Sequence, residues 1–267
     1  MMPCRFLSVF VFVLMFASCT TTPVAHAPDR DLGLLWVKHA AEYEAVTRQV
    51  YQAARLALPR LIEDQFWTAL PGQEDAEGLR PAIIFDMDET VVSGIDFQLT
   101  HERPFENWKH EAWSMANTAS AVPGFVRFAV AARDAGVELF FVTNRPCEPI
   151  VGSNDPCPQQ IIAMTDIVET GIETDADHVM LAFEQSDWTK EKAVRRQHIA
   201  RTHRVIMLFG DDLSDFIPCV RAKPAAPCTE AATADSRRRA VEQFSDYWGN
   251  GWYVLPNPMH GSWTSAR

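Results

Sequence analysis

The chain has 267 residues, 47% of them apolar, 22% charged and 10% aromatic, a balance that excludes disordered and fibrous classes and predicts one large globular domain with room for a small accessory one. Lys and Arg number 24 against 35 Asp and Glu, a formal charge of −11, which repels phosphate backbones and argues against a nucleic acid polymer as partner. A small anionic substrate needs local help, from a metal ion or from a few placed cations.

Residues 1–5 hold one basic side chain, Arg5, and Phe6 to Ala17 are then apolar except for Ser8, short of the ~20 apolar residues that span a bilayer. Residues 1–18 are predicted to be a signal peptide. Its end, Phe16-Ala17-Ser18-Cys19, resembles the lipobox at which bacterial lipoproteins are cleaved and acylated, with Phe16 in the usual leucine position. That reading puts a lipid on Cys19 and the mature protein on a bacterial outer membrane, facing the periplasm or the cell surface. The alternative is cleavage after Ser18 or a nearby alanine and a soluble periplasmic protein. Residues 19–30 read as a tether rich in Thr, Pro and Ala. Four further cysteines form two close pairs across Pro-containing loops, so disulfides Cys147–Cys157 and Cys219–Cys228 are expected in an oxidising compartment. A four-cysteine metal site is the weaker alternative, because neither spacing is the short CxxC of zinc ligation.

Apolar residues at Trp36, Ala40, Tyr43, Val46, Val50 and Ala54 predict an amphipathic helix from Leu34 to Leu58. Pro59 is expected to break or kink it, and a shorter helix, Leu61 to Leu70, to follow; both form an N-terminal helical layer. After Pro81 short apolar runs alternate with helical segments, the signature of a parallel sheet with crossover helices. The predicted strands are Ala82–Asp86, Val137–Thr143, His178–Phe183, Arg204–Phe209 and Trp252–Leu255, and the predicted helices Gly124–Ala135, Pro158–Glu169, Thr189–Thr202 and Ser236–Trp248. Phe85, Phe140, Phe141, Val142, Met207 and Leu208 are the expected core. Residues 91–122, with Phe97, Phe105, Trp108 and Trp113, break the alternation. An insertion at the carboxyl end of a strand covers the crevice where open α/β sheets bind ligands, so this segment is read as a small cap.

The first strand ends in Asp86-Met87-Asp88-Glu89-Thr90. An isolated Asp-x-Asp would be a turn or a helix cap. Here a second strand ends in Thr143-Asn144-Arg145, a third in Gly210-Asp211-Asp212-Leu213-Ser214-Asp215, and Lys190, Lys192, Arg195 and Arg196 lie between them. Five carboxylates converging in one crevice repel one another unless a divalent cation joins them, and oxygen-only ligation beside a phosphate suits Mg²⁺. Lys192 and Thr143, with backbone N–H groups at a helix start, supply an anion clamp. Lys190 is the alternative for the Lys192 role, and a solvated helix face is the plain reading of Lys192.

In this order the motifs resemble those of the haloacid dehalogenase superfamily of phosphohydrolases. More narrowly they resemble the class C acid phosphatases, outer-membrane lipoproteins that hydrolyse 5′-nucleotides and nicotinamide mononucleotide. The narrower likeness rests on Trp36-Val37 with Ala41-Glu42-Tyr43, on Asp86 to Thr90, on Asp187-Trp188-Thr189 ahead of Lys192 to Arg196, on Gly210 to Phe216 and on Leu255 to Trp263. The resemblance implies a three-layer α/β/α sandwich with a parallel sheet over residues 31–267, an N-terminal helical layer and a small cap at about 91–122.

It also implies roles. Asp86 is the nucleophile that forms an aspartyl-phosphate. Asp88 is the general acid and base, its pKa expected to be raised by neighbouring carboxylates and partial burial. Mg²⁺ is held by the Asp86 side chain, the Asp88 carbonyl and Asp211, with Asp215 behind them. Thr143 and Lys192 bind phosphoryl oxygens, Asn144 stands beside the substrate, and Arg145 either reaches the substrate or pairs with a carboxylate. His260 occupies the place where relatives stack an aromatic ring on the base, and Phe97, Trp108 or Trp113 supplies the opposite face. Val92-Ser93-Gly94 replaces Asp and Asn of relatives. The expected function is an exported Mg²⁺-dependent phosphomonoesterase acting on 5′-nucleotides. The alternatives are a broad phosphatase for sugar or aryl phosphates and a non-catalytic lipid-anchored binding protein of the same fold. The resemblance also points to a homodimer.

Overall fold

The computed structural model describes residues 29–101, 105–116, 118–150 and 152–266. The expected signal peptide, Cys19 and all but the last two residues of the tether lie outside them. Among the described residues no helix is long and apolar enough to cross a membrane.

Two helices come first, α1 (Asp29–His39) and α2 (Ala41–Glu63). The expected single helix from Leu34 is therefore divided at Ala40, whose backbone is extended. Pro59 does not end α2, which runs on to Glu63 past it, the proline removing one ladder hydrogen bond just before the last turn. The predicted helix Leu61–Leu70 is absent. Asp64 accepts the N–H groups of Phe66 and Trp67 at 3.1 Å and turns the chain out of the helix. The buried Arg204 then donates to the carbonyls of Leu61, Ile62, Asp64 and Trp67, satisfying helix-end acceptors that would otherwise be orphaned.

Five parallel strands follow: β1 (Arg80–Phe85), β4 (Glu138–Pro146), β5 (Val179–Ala182), β6 (His203–Gly210) and β7 (Trp252–Val254), in the order β5-β4-β1-β6-β7. Their side chains alternate between two cores, as the period of a strand requires. Ile83, Phe85, Phe141 and Phe209 pack with α2, α5 (Phe125–Asp134) and α6 (Pro158–Glu169). Ala82, Ile84, Phe140 and Val142 pack on the other face with Ile199 of α7 (Ala193–Ala200), while Ala240 of α8 (Ala234–Gln243) joins that cluster from outside. The first core is a stack of rings: the Phe85 centroid lies 4.8 Å from that of Phe209 and 5.7 Å from that of Phe141. The result is a mostly parallel α/β/α sandwich.

Central β1 is flanked by β4 and β6, with Phe85 level with Phe141 on one side and Phe209 on the other. Whatever follows those three phenylalanines is therefore delivered to one edge of the sheet. Residues 91–122 hold β2 (Val92–Ser93) paired antiparallel with β3 (Ser120–Ala121), and between them α3 (Ile95–Thr100) and α4 (Asn107–Ala116). Both expected disulfides, Cys147–Cys157 and Cys219–Cys228, are formed.

Candidate active site

Asp86 begins where β1 stops, and its N–H still donates to the Phe209 carbonyl at 2.9 Å. The carboxylate is buried. Lys192, the residue before α7, is buried as well and donates to Asp86 Oδ1 and, at 2.6 Å, to Asp215 Oδ1. One carboxylate oxygen from each of Asp86, Asp211 and Asp215 lies within 4.8 Å of the others. Gly210 makes this approach feasible, because a Cβ at that position would collide with the Asp215 side chain.

Burial pushes the Asp86 pKa up to about 7 against the pull of Lys192, with Asp215 and Asp88 adding to the rise. Asp211 is pushed well above the ordinary carboxylate range by burial and by Asp86 and Asp215, although the Asn257 amide donates to it at 2.6 Å. Three acids against one lysine leave excess negative charge in a small oxygen-only cluster, and the donor set suits a hard divalent cation.

Two further arginines of α7 hold the walls. Arg195, fully buried, donates to the Thr143 carbonyl, to Asn144 Oδ1 at 2.9 Å and to the Thr189 carbonyl at 3.0 Å. Arg196 donates to the carbonyls of Asp215 and Phe216 at 2.7 and 3.2 Å. The ends of β4 and β6 are thus fastened to the helix that presents Lys192. Thr143 is fully buried at this junction, its hydroxyl accepting the Arg145 N–H at 3.1 Å.

Asp88 faces a different environment. Glu89 is left-handed (φ +62°) and turns the chain at once, leaving the Asp88 carboxylate in a two-point contact with Arg145, Nη2 to Oδ1 at 2.7 Å and Nε to Oδ2 at 3.1 Å. The expected rise in the Asp88 pKa is not found. Burial raises it, but Arg145 and then His110 outweigh burial and hold it well below the ordinary carboxylate range. Arg145 thus pairs with a carboxylate, one of the two outcomes left open. Its other arm donates to Asp166 of α6, a buried carboxylate that also accepts the Ser114 hydroxyl of α4 at 2.6 Å. Asp212 leaves the expected cluster of five as well. It caps the turn at 213–215 and accepts the Ser262 N–H at 2.6 Å, anchoring the C-terminal segment.

A cavity of about 720 Å³ opens beside Asp88, lined by Asn144, Arg145 and His260 together with Phe97, Phe105 and His110 of the inserted segment. His260 is 3.6 Å from Glu89 and 3.3 Å from the Asn257 amide. Trp108 does not line the cavity. It is 61% exposed, with Lys109 5.5 Å from its ring centre, because α4 turns His110 and Ser114, two and six residues on, toward the interior. Trp113 packs against Phe97 from outside the lining. Sequence reasoning missed Asp166, Ser114, His110 and the clamping role of Arg195. For Asp166 a signal existed: with Gln159, Ala163 and Ile167 it shares the buried stripe of α6, and an acid on such a stripe requires a buried partner.

A parallel sheet with acids, a threonine and a lysine at its carboxyl edge is the architecture of a phosphohydrolase. Residues 32–263 match the HAD superfamily, subfamily IIIB (acid phosphatase) family. Two solved structures are similar at a TM-score of 0.68, each covering 89% of this chain and 87% of the other: the class C acid phosphatase from Bacillus anthracis at 24% identity, and the same enzyme with tungstate bound at 25%. The chain belongs to the HAD subfamily IIIB acid phosphatases and is a phosphomonoester hydrolase. HAD phosphatases generally use a divalent metal.

Proposed function

We propose that the protein is an exported, Mg²⁺-dependent acid phosphatase that hydrolyses phosphomonoesters, 5′-nucleotides foremost, through an aspartyl-phosphate on Asp86. The observation that carries this reading is the pairing of Asp86 with Lys192 at the end of β1, beside Asp211 and Asp215, with Asp88 two residues on and facing the cavity.

The Asp86 carboxylate oxygen attacks phosphorus, the ester P–O bond breaks, and Asp88 gives a proton to the leaving oxygen. Water then attacks the acyl-phosphate, its proton passes to Asp88, and Asp86 is released with inorganic phosphate. Arg145 keeps Asp88 ionised in the free enzyme. A phosphoryl dianion arriving next to it, together with acidic pH, raises its proton affinity toward what the first step needs. Lys192 and Thr143 take the phosphoryl oxygens. Asp86, Asp211 and Asp215, with the Asp88 carbonyl, would hold Mg²⁺. When bound, the ion neutralises charge shared by these carboxylates and the phosphoryl group.

Phe97, Phe105, His110 and His260 offer rings for a planar base. That the similar Bacillus anthracis enzyme binds tungstate, a tetrahedral dianion like phosphate, supports an oxyanion as ligand. Two disulfides suit an oxidising compartment and, with the N-terminal segment, support export as a lipoprotein on Cys19. The test is phosphate release from AMP and from ribose 5-phosphate at acidic pH, with Mg²⁺ and with a chelator, from wild type and Asp86→Asn. Metal-dependent turnover that favours AMP and vanishes in the variant is expected. Equal rates on both substrates would remove the nucleotide preference, and undiminished turnover by the variant would remove the mechanism.

A further inference from the structure

Lys192 takes the ion-pair position inside the acidic cluster, which leaves Lys190, two residues earlier, free of that role. Lys190 lines the same cavity as Asp88, and so does Arg221. The other cations of the cavity are already engaged. Arg145 is held by Asp88 and Asp166, Lys109 by Glu106, and His260 lies beside Glu89. Among the described residues Lys190 has no hydrogen-bond or ion-pair partner, and the Arg221 guanidinium has only the Ser214 hydroxyl, at 3.3 Å.

The segments that carry these two cations are tied to each other. Thr189 donates to the Ala226 carbonyl at 2.5 Å, and Glu191 accepts the Cys219 N–H at 3.2 Å. The residues on either side of Lys190 are thus fastened to the loop that the Cys219–Cys228 disulfide closes and that carries Arg221. In a chain of net charge −11, these two cations outnumber the one lining carboxylate without a cation partner among the described residues, Glu111, and form a local attractor for anionic oxygen, and a guanidinium suits phosphate or carboxylate in two-point contact. A volume of about 720 Å³ lies well up the ~300–1,000 Å³ range of small-molecule sites, leaving room for more than one charged group.

We propose that Lys190 and Arg221 form a subsite for a second anionic group of the substrate, so that the enzyme favours phosphomonoesters bearing a further phosphate or carboxylate over their singly substituted counterparts. The inference rests on the phosphatase reading above.

Two matched pairs test it: adenosine 3′,5′-bisphosphate against AMP, and 3-phosphoglycerate against glycerol 3-phosphate, with p-nitrophenyl phosphate as a substrate that has no second anion. The ratio of kcat/KM within a pair does not depend on how much of a preparation is folded. In wild type at low ionic strength the ratio reaches about tenfold in at least one pair, ~1.4 kcal/mol. It is carried by KM, shrinks with added salt, and falls toward one in the Lys190→Ala/Arg221→Ala double variant; the pair with the larger ratio identifies the preferred group. Ratios near one in both wild-type pairs, or a ratio kept by the double variant, overturn the subsite while leaving the phosphatase reading intact. No turnover of any of these five substrates by wild type overturns that reading and the subsite with it.

Discussion

The acidic cluster and the cavity beside it are neighbours built by opposite means. Asp86, Lys192 and Asp215 are buried, delivered by strand ends and by the start of a helix, and pinned by Arg195 and Arg196 to backbone carbonyls. The cavity walls come largely from the inserted segment, the disulfide-closed loop and the C-terminal segment, completed by the end of β4 and by α6, and one of its rings, Phe105, is 57% exposed. On the proposed function, the sheet ends hold the reacting groups and the surrounding segments select what reaches them. Substitutions in the first region should lower turnover and folding together, and those in the second should alter KM and leave the fold intact.

The largest departure is expected at Lys192. Lys192→Ala strands Asp86 and Asp215 without their shared cation, and removing one partner of a buried pair costs ~3–5 kcal/mol. Thermal unfolding should show that loss, with kcat down by roughly 10²–10³; a variant as stable as wild type would mean that the cluster is not electrostatically frustrated. Next comes Asp166, which belongs to both regions through Arg145 and Ser114. Asp166→Asn loosens the guanidinium that orients Asp88, and if Asp88 is the proposed acid and base, its misplacement costs about 10- to 100-fold in kcat, with KM little changed. A change confined to KM would place Arg145 on the substrate side instead.

A smaller effect separates the two carboxylates by pH. Asp86, raised to about 7 when folded, binds its proton more tightly in the folded than in the unfolded state, so the metal-free protein loses stability as pH rises from ~4 toward 7. Asp88, held low by Arg145, has the opposite sign, and its contribution is present above ~4 and lost on acidification below it. Melting curves between pH 4.5 and 7.5 in chelator should therefore decline toward neutrality, and Mg²⁺ should flatten the decline by favouring ionised ligands. A stability that rises over that range in chelator would contradict the assignment. Smallest of all, Trp108→Ala should change kcat/KM by no more than about twofold, as an exposed side chain outside the cavity. Phe105→Ala should raise the KM for AMP roughly 2- to 10-fold, the range of one aromatic contact. A reversal of that order would return Trp108 to the substrate.

The same contrast decides what could be read from the chain. β1, β4 and β6 were legible because apolar runs end in Asp86, Thr143 and Asp211, and three such polar ends in one chain exceed what turns and caps alone call for. Pro59 and the apolar residues up to Leu70 misled, since the stop signal was the small turn at Asp64 and the partner that satisfies it, Arg204, lies 140 residues away. Trp108 misled in the same way. Its indole looks like a stacking ring, but the rotation of α4 is set by His110 and Ser114, whose partners Asp88 and Asp166 come from other elements. Asp88 shows the limit most clearly. Its neighbours in sequence are acids, its neighbours in space are Arg145 and His110, and the spatial ones set its proton affinity.

The central claim is that Asp86 carries the phosphoryl group, and rapid acid quenching of the enzyme mixed with AMP labelled in its phosphate tests it most directly. The account predicts label recovered on the peptide that contains Asp86, formed and lost at rates that match turnover and absent from Asp86→Asn. Turnover with no labelled peptide at any quench time, or label on a different residue, would contradict it.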